Sequence, residues 1–118
     1  MSNTFIPASM SIEHRHNPTP YRPVLYRVGG TTLRLALHFD IGQRHLPESM
    51  REWVVSDPIS GRCICRVLAT WKGCPVNTRG MGPRDARTAA VTTLDALIDR
   101  VGADRLLEKL RASWEAAK

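Results

Sequence analysis

Two periods divide the chain. In runs between about residues 24 and 71, apolar residues recur at every second position, the spacing of a half-buried strand. After about residue 83 they recur every third or fourth position, the spacing of a helix. The alternation is cleanest in a strand predicted over Thr31–Asp40, where Leu33, Leu35, Leu37 and Phe39 share one side and Arg34, Ala36 and His38 the other. An earlier strand is predicted over Val24–Val28, and the Gly29-Gly30 pair between the two is a two-residue hairpin signal. The runs Arg51–Asp57 and Arg62–Leu68 flank the turn formers Pro58-Ile59-Ser60-Gly61 and predict a second hairpin. Trp53 and Val55 are in phase on its first strand; Cys63, Cys65 and Val67 are in phase on its second, with Ala69 and Trp71 placed to extend that row. Ile41–Met50, polar and containing Pro47, is long for a hairpin loop, so the strands it joins need not be neighbours.

The helical period begins near Pro83. Ala86, Ala90, Leu94, Leu97, Ile98 and Val101 form the stripe of a helix running to about Val101, and Gly102 suits its C-terminal end. A second helix starts near Asp104, with a stripe of Leu106, Leu107, Leu110 and Trp114 and with Ala103 one turn earlier. Both stripes read as core; Trp114, near the chain end, is placed to cover the sheet edge or to form part of a homodimer contact. Strands followed by helices favour segregated layers. The expected fold is therefore α+β: a small antiparallel sheet of three or four strands with two C-terminal helices packed on one face. Pro7, Pro18, Pro20 and Pro23 interrupt the start of the chain. Residues 1–22 are accordingly assigned to a flexible arm that orders on a partner, and residues 23–118 to a single domain. Within that domain the sheet lies in 23–72, a basic loop in 73–84 and the helices in 85–117. Phe5 and Ile6 are the arm's apolar anchors.

Charge sharpens this outline. Residues 1–84 carry eleven Arg or Lys against five Asp or Glu, whereas residues 85–118 carry six of each, so the whole net charge of +6 lies in the arm, strands and loops. Fourteen of the seventeen basic residues are Arg, which suits forked recognition of phosphate or carboxylate, although codon composition alone also produces it. If the apolar rows face the helices, the other sheet face presents Arg27, Arg34, His38, Arg62 and Arg66, with Leu25, Val54, Ile64 and Leu68 among them. Those arginines either keep that face in water or touch phosphate; the apolar residues between them favour an interface. Lys72, Arg79 and Arg84 stand in a glycine-containing loop that runs into a helix start, where backbone amides and the helix dipole favour an anion.

Catalytic and metal chemistry find less support. The spacing around Gly73, Gly80 and Gly82 matches neither a Walker loop nor a dinucleotide fingerprint. No nucleophile, base and orienting group emerge together, and Asp95 and Asp99 lie one turn apart on a helix face expected to be solvated. Cys63, Cys65 and Cys74, with His38 or His45 as a fourth ligand, are the most metal-like group. Zinc sites space their cysteines differently, and buried thiols are expected instead, with Cys63 and Cys65 in the core. His14 and His16 around Arg15 do not make a metal site without further ligands. No metal and no cofactor are expected. Three cysteines, no apolar run long enough to span a bilayer and no secretory pattern at the N-terminus place the expected protein in the cytoplasm, away from membranes.

The Trp53-Val54-Val55 hairpin closed by Ser60-Gly61, the basic loop and the Ala-rich helix, over about residues 51–101, resemble small proteins encoded by phages and plasmids. The resemblance implies a DNA-binding accessory or an inhibitor of host defence, including anti-CRISPR proteins, and carries over no individual residue. The leading expectation is a non-enzymatic protein that contacts nucleic acid or a nucleoprotein through Arg27, Arg34, Arg62, Arg66, Lys72, Arg79 and Arg84. The alternative is an inhibitor or adaptor that binds a host defence protein through a mixed apolar interface anchored by Trp71, Trp114 or the arm.

Overall fold

The computed structural model describes residues 6–8, 19–59 and 61–117. Phe5, the His14–His16 group and Ser60 lie outside the described residues, as does most of the predicted arm. Helix and strand follow one another as predicted, in an α+β arrangement. Strands β1 (Ile6–Ala8), β2 (Thr19–Val28), β3 (Thr31–Phe39), β4 (Trp53–Ser56) and β5 (Cys63–Arg66) precede a separate pair, β6 (Ala69–Trp71) and β7 (Cys74–Val76); helices α1 (Pro83–Val101) and α2 (Ala103–Ala117) end the chain. Strands β2 to β5 form a four-stranded antiparallel meander, and β1 extends it along the first part of β2. Thr19–Arg22, assigned from its prolines to the arm, is thus strand. Residues 19–21 of β2 pair with β1 and residues 22–28 with β3, so among the described residues each half of β2 has a ladder on one side only. That leaves an open side toward which Pro20 and Pro23 can turn their missing donors.

The alternation in β3 sets the register. Leu35 faces Val24, Leu33 faces Tyr26 and Leu37 faces both Arg22 and Val55, which aligns one apolar row across the sheet. Val24, Tyr26, Leu33, Leu35, Leu37, Trp53, Val55 and Val67 from this face meet Ala86, Ala90 and Leu94 of α1 and Leu106, Leu107 and Leu110 of α2 in one buried cluster. Alanines at two of the three buried α1 positions let that helix approach the sheet closely. Leu97 and Ile98 pack at the margin, while Val101, predicted to belong to the stripe, is exposed. Gly102 alone joins the helices, at φ 89° and ψ 142°, a backbone conformation that side-chain-bearing residues avoid; its N–H still donates to the Ile98 carbonyl at 2.8 Å.

The connection from β3 to β4 is long, yet the two strands are neighbours. It is folded into two single turns of 3-10 helix, Ile41–Gln43 and Glu48–Met50, and its ends are tied by Asp40 N–H to Glu52 carbonyl at 2.8 Å. The opposite sheet face differs from expectation. Ala36, His38, Val54 and Ser56 are all buried there; exposed residues lie at the β2–β3 end, with Leu25, Arg27, Thr32 and Arg34, and on β5, with Cys63 and Arg66. Among the described residues, no helix is long and apolar enough to cross a membrane.

Candidate functional site

The predicted basic loop begins as something else. Ala69–Trp71 and Cys74–Val76 pair as an antiparallel ribbon, Ala69 opposite Val76 and Trp71 opposite Cys74, with Lys72-Gly73 as its two-residue turn. Lys72 at φ 52° and Gly73 at φ 81° both take the left-handed conformation of a type I′ turn. Ala69 and Trp71 therefore do not continue the β5 row. Thr93 of α1 breaks the strand at Leu68, its hydroxyl accepting from the Leu68 N–H at 3.1 Å and donating to the Ala89 carbonyl at 2.8 Å. From Thr70 to Asn77 every residue is exposed, and Trp71 keeps 67% of its surface in solvent. The Lys72 ammonium sits 5.9 Å from the centre of the Trp71 ring, within cation–π range.

Past the ribbon, the chain is fastened to the sheet. Thr78 is fully buried, and its hydroxyl accepts from the Trp53 N–H at 2.8 Å; the Trp53 indole donates to the Met81 carbonyl, also at 2.8 Å. These bonds hold Arg79 and the start of α1 against β4. Arg79 lies 3.7 Å from Glu52, and Arg66 reaches both Asp40 at 2.8 Å and Glu52 at 3.5 Å. The hydrogen bond to Asp40, ahead of the other carboxylate contacts, holds the Arg66 guanidinium even more firmly charged. Sequence spacing foretold neither pairing, because Asp40 and Glu52 arrive from the far ends of the β3–β4 connection. Arg27, Arg34, Lys72 and Arg84 are exposed and have no carboxylate within 4 Å among the described residues. Arg62 is also exposed, beside the turn of the β4–β5 hairpin.

The seven basic positions thus separate. Arg27 and Arg34 lie at the β2–β3 end of the second sheet face, Arg66 and Arg79 meet over Glu52, and Lys72 and Arg84 flank the β4-anchored segment. From Pro58 through Arg84 the chain contains five basic residues and no acidic one.

His38 does not belong to an exposed basic face. Its Nδ1 lies 2.7 Å from the Phe39 carbonyl, which can only accept, so the neutral ring carries its proton there and Nε2 accepts from the Ser56 hydroxyl at 2.8 Å. Burial is the largest effect on this imidazole and pushes its pKa below the ordinary 6.5. The pair has the atoms of a base-activated hydroxyl, but the second ring nitrogen meets a backbone carbonyl rather than an orienting carboxylate, and both residues are enclosed.

The cysteines also require correction. The β4–β5 ladder runs Val55 opposite Cys65 and then Ser56 opposite Cys63, which leaves Ile64 as an extra residue in a bulge. The shift moves Cys63 out of the Val55 row and exposes it. Ile64, expected on the basic face, instead packs at the margin of the core. Cys65 is half-buried against the core, and desolvation pushes its thiol up to about 11. Cys74 is exposed on β7, and all three thiols are free. Among the described residues, no three His, Cys, Asp or Glu side chains are grouped to hold a metal ion.

Two carboxylates have structural tasks that spacing did not reveal. Asp57 caps the β4–β5 turn by accepting from the Ile59 N–H at 3.1 Å, and accepts the Trp114 indole N–H at 2.7 Å, which fixes α2 to the sheet end. Asp95 is exposed as expected, yet accepts the Tyr26 hydroxyl at 2.6 Å; burial and then this bond push the phenol above its ordinary range. No known protein family, curated protein or solved structure matches the chain.

Proposed function

We propose that this chain is a non-enzymatic binding protein that contacts nucleic acid or a nucleoprotein in the cytoplasm. The observation that carries the reading is the acid-free run from Pro58 to Arg84, whose basic residues are all exposed. Lys72 and Arg84 offer charge with no carboxylate within 4 Å among the described residues. Arg62 lies in the same run, while Arg27 and Arg34 supply a second basic patch. Arg66 pairs with Asp40 and Glu52 and Arg79 with Glu52, so a phosphate must compete with those carboxylates for them. Their expected share of the affinity is correspondingly smaller. Three free thiols accord with a reducing compartment.

Gel-shift titration with duplex and single-stranded DNA and RNA at two salt concentrations tests this reading. Each phosphate contact releases counterions, so affinity should fall steeply with salt. No binding at low salt, where the attraction is strongest, would overturn it. The exposed apolar residues Leu68, Trp71 and Val76 favour a second reading, an inhibitor or adaptor that docks on a host defence protein. That reading predicts a stoichiometric protein partner that co-purifies after nuclease treatment.

A further inference from the structure

We infer that the β6–β7 ribbon is a groove-reading element for double-stranded DNA, with Trp71 and Lys72 at the contacting tip. The inference rests on the proposed nucleic-acid function and assigns it a ligand and a place. Four observations meet there. The ribbon is solvent-exposed from Thr70 onward and forms a sheet of its own. Its three pairs span about 7 Å, and the turn adds a few more, which matches a major groove about 8.5 Å deep. Two strands about 4.8 Å apart, with their side chains, fit the width of about 12 Å that admits a β-ribbon. At the tip, a cation and an aromatic ring lie side by side. They supply donors for base-edge acceptors and an apolar face for thymine methyl groups or sugar edges.

The backbone at the tip adds to the case. Lys72 holds φ 52°, where Asn or Gly is at ease and a lysine is strained. That conformation sets Lys72 in the turn itself, with its ammonium over the Trp71 ring. Arg84 and Arg87 face solvent one turn apart at the start of α1, the helix whose Thr93 holds the base of the ribbon, and offer phosphate contacts outside the groove. The deep, narrow major groove of A-form RNA does not admit such an element. Stacking along a single strand needs several exposed rings, and this ribbon has one.

The test uses the full chain and duplex DNA, duplex RNA and single-stranded DNA of one sequence, at low and moderate salt. The expected result is duplex DNA bound at least about tenfold more tightly than duplex RNA. Lys72→Asn keeps the turn conformation and removes the charge, and Trp71→Ala removes the ring. Each should weaken duplex-DNA binding by about fivefold or more, while the melting temperature of the Asn variant holds or rises. Duplex DNA should also protect the wild-type chain from iodide quenching of Trp71, the exposed indole, and the Trp71→Ala variant should lack that protection. If both variants bind duplex DNA like wild type, the ribbon assignment fails while the nucleic-acid function stands. Equal affinity for duplex DNA and duplex RNA overturns major-groove entry. If wild type binds no nucleic acid, or the ribbon is required only for a protein partner, the inference falls together with the reading beneath it.

Discussion

Trp53 and Trp71 occupy successive hairpins, yet one is 1% exposed and the other 67%. Both stand in strands, and both strands pair with a partner across a turn. The difference lies in what surrounds the pair. Strand β4 has β3 on one side and β5 on the other, and α1 and α2 complete the core over its face. Among the described residues, the β6–β7 pair has no third strand. A two-stranded ribbon is marginal by itself, and this one depends on its type I′ turn and on fastenings at its base, Thr93 before it and Thr78 after it. Strand propensity alone therefore does not assign a tryptophan to the core; the neighbours on both edges and on the covered face do.

The sharpest way to break the comparison is to remove each ring. Trp53→Ala should cost about 3–5 kcal/mol in denaturant unfolding, through the lost packing, the cavity and the lost bond to Met81. Trp71→Ala should change stability by less than about 0.5 kcal/mol. A comparable cost for both would show that the ribbon is part of the core. Next comes Thr78→Val, which keeps the shape but leaves the Trp53 N–H without its acceptor; a loss of about 1–3 kcal/mol is expected by thermal or chemical melting.

Acid sharpens the contrast further. Because burial lowers the His38 pKa, the folded state binds this proton less readily than the unfolded chain. His38 exacts no penalty above the ordinary value of 6.5; as pH falls below it, stability should drop by at most about 1.4 kcal/mol per pH unit until the folded-state value is passed. His38→Gln should flatten that part of a stability–pH profile. The smallest effects belong to the exposed positions. Cys63→Ser and Lys72→Asn should each shift stability by less than about 0.5 kcal/mol, the latter upward. Cys65→Ser, in the half-buried row, should cost more than Cys63→Ser; equal costs would argue against the bulge at Ile64.

Periodicity made the main layers legible. Leu33, Leu35 and Leu37 are buried as their alternation predicts, and the helical stripes lie against the sheet from Ala86 to Leu94 and from Leu106 to Leu110. The register beyond Val55 was not legible, because one extra residue at Ile64 reverses which side of the sheet Cys63 occupies and leaves no trace in composition. The ribbon was hidden by its brevity and by Pro75, which reads as loop until an edge strand is considered. Within the candidate site, exposure of Arg27 and Arg34 followed from their phase in the strands, and that of Lys72 and Arg84 from their glycine-containing segment. The pairing of Arg66 and Arg79 with Glu52, the enclosure of His38 and the anchoring role of Thr78 all arise from residues brought together by the completed sheet.

Those anchors also bear on the order in which the chain assembles. Each strand from β2 to β5 pairs with the next in sequence, so the meander is built by local closures, of which the β3–β4 connection is the longest. The bonds from Trp53 to Thr78, from Asp57 to Trp114 and from Tyr26 to Asp95 join positions 25, 57 and 69 residues apart. The last two become available only when the helices dock on the sheet, and the first when the segment ahead of α1 lies against β4. Removing one of these latches, as in Asp57→Asn, should accelerate unfolding while leaving the refolding rate nearly unchanged in stopped-flow measurements. A slower refolding limb would instead place helix docking inside the nucleus. The lifetime of the native state would then rest on three side chains that a local reading of the sequence passes over, while the speed of reaching that state rests on the meander.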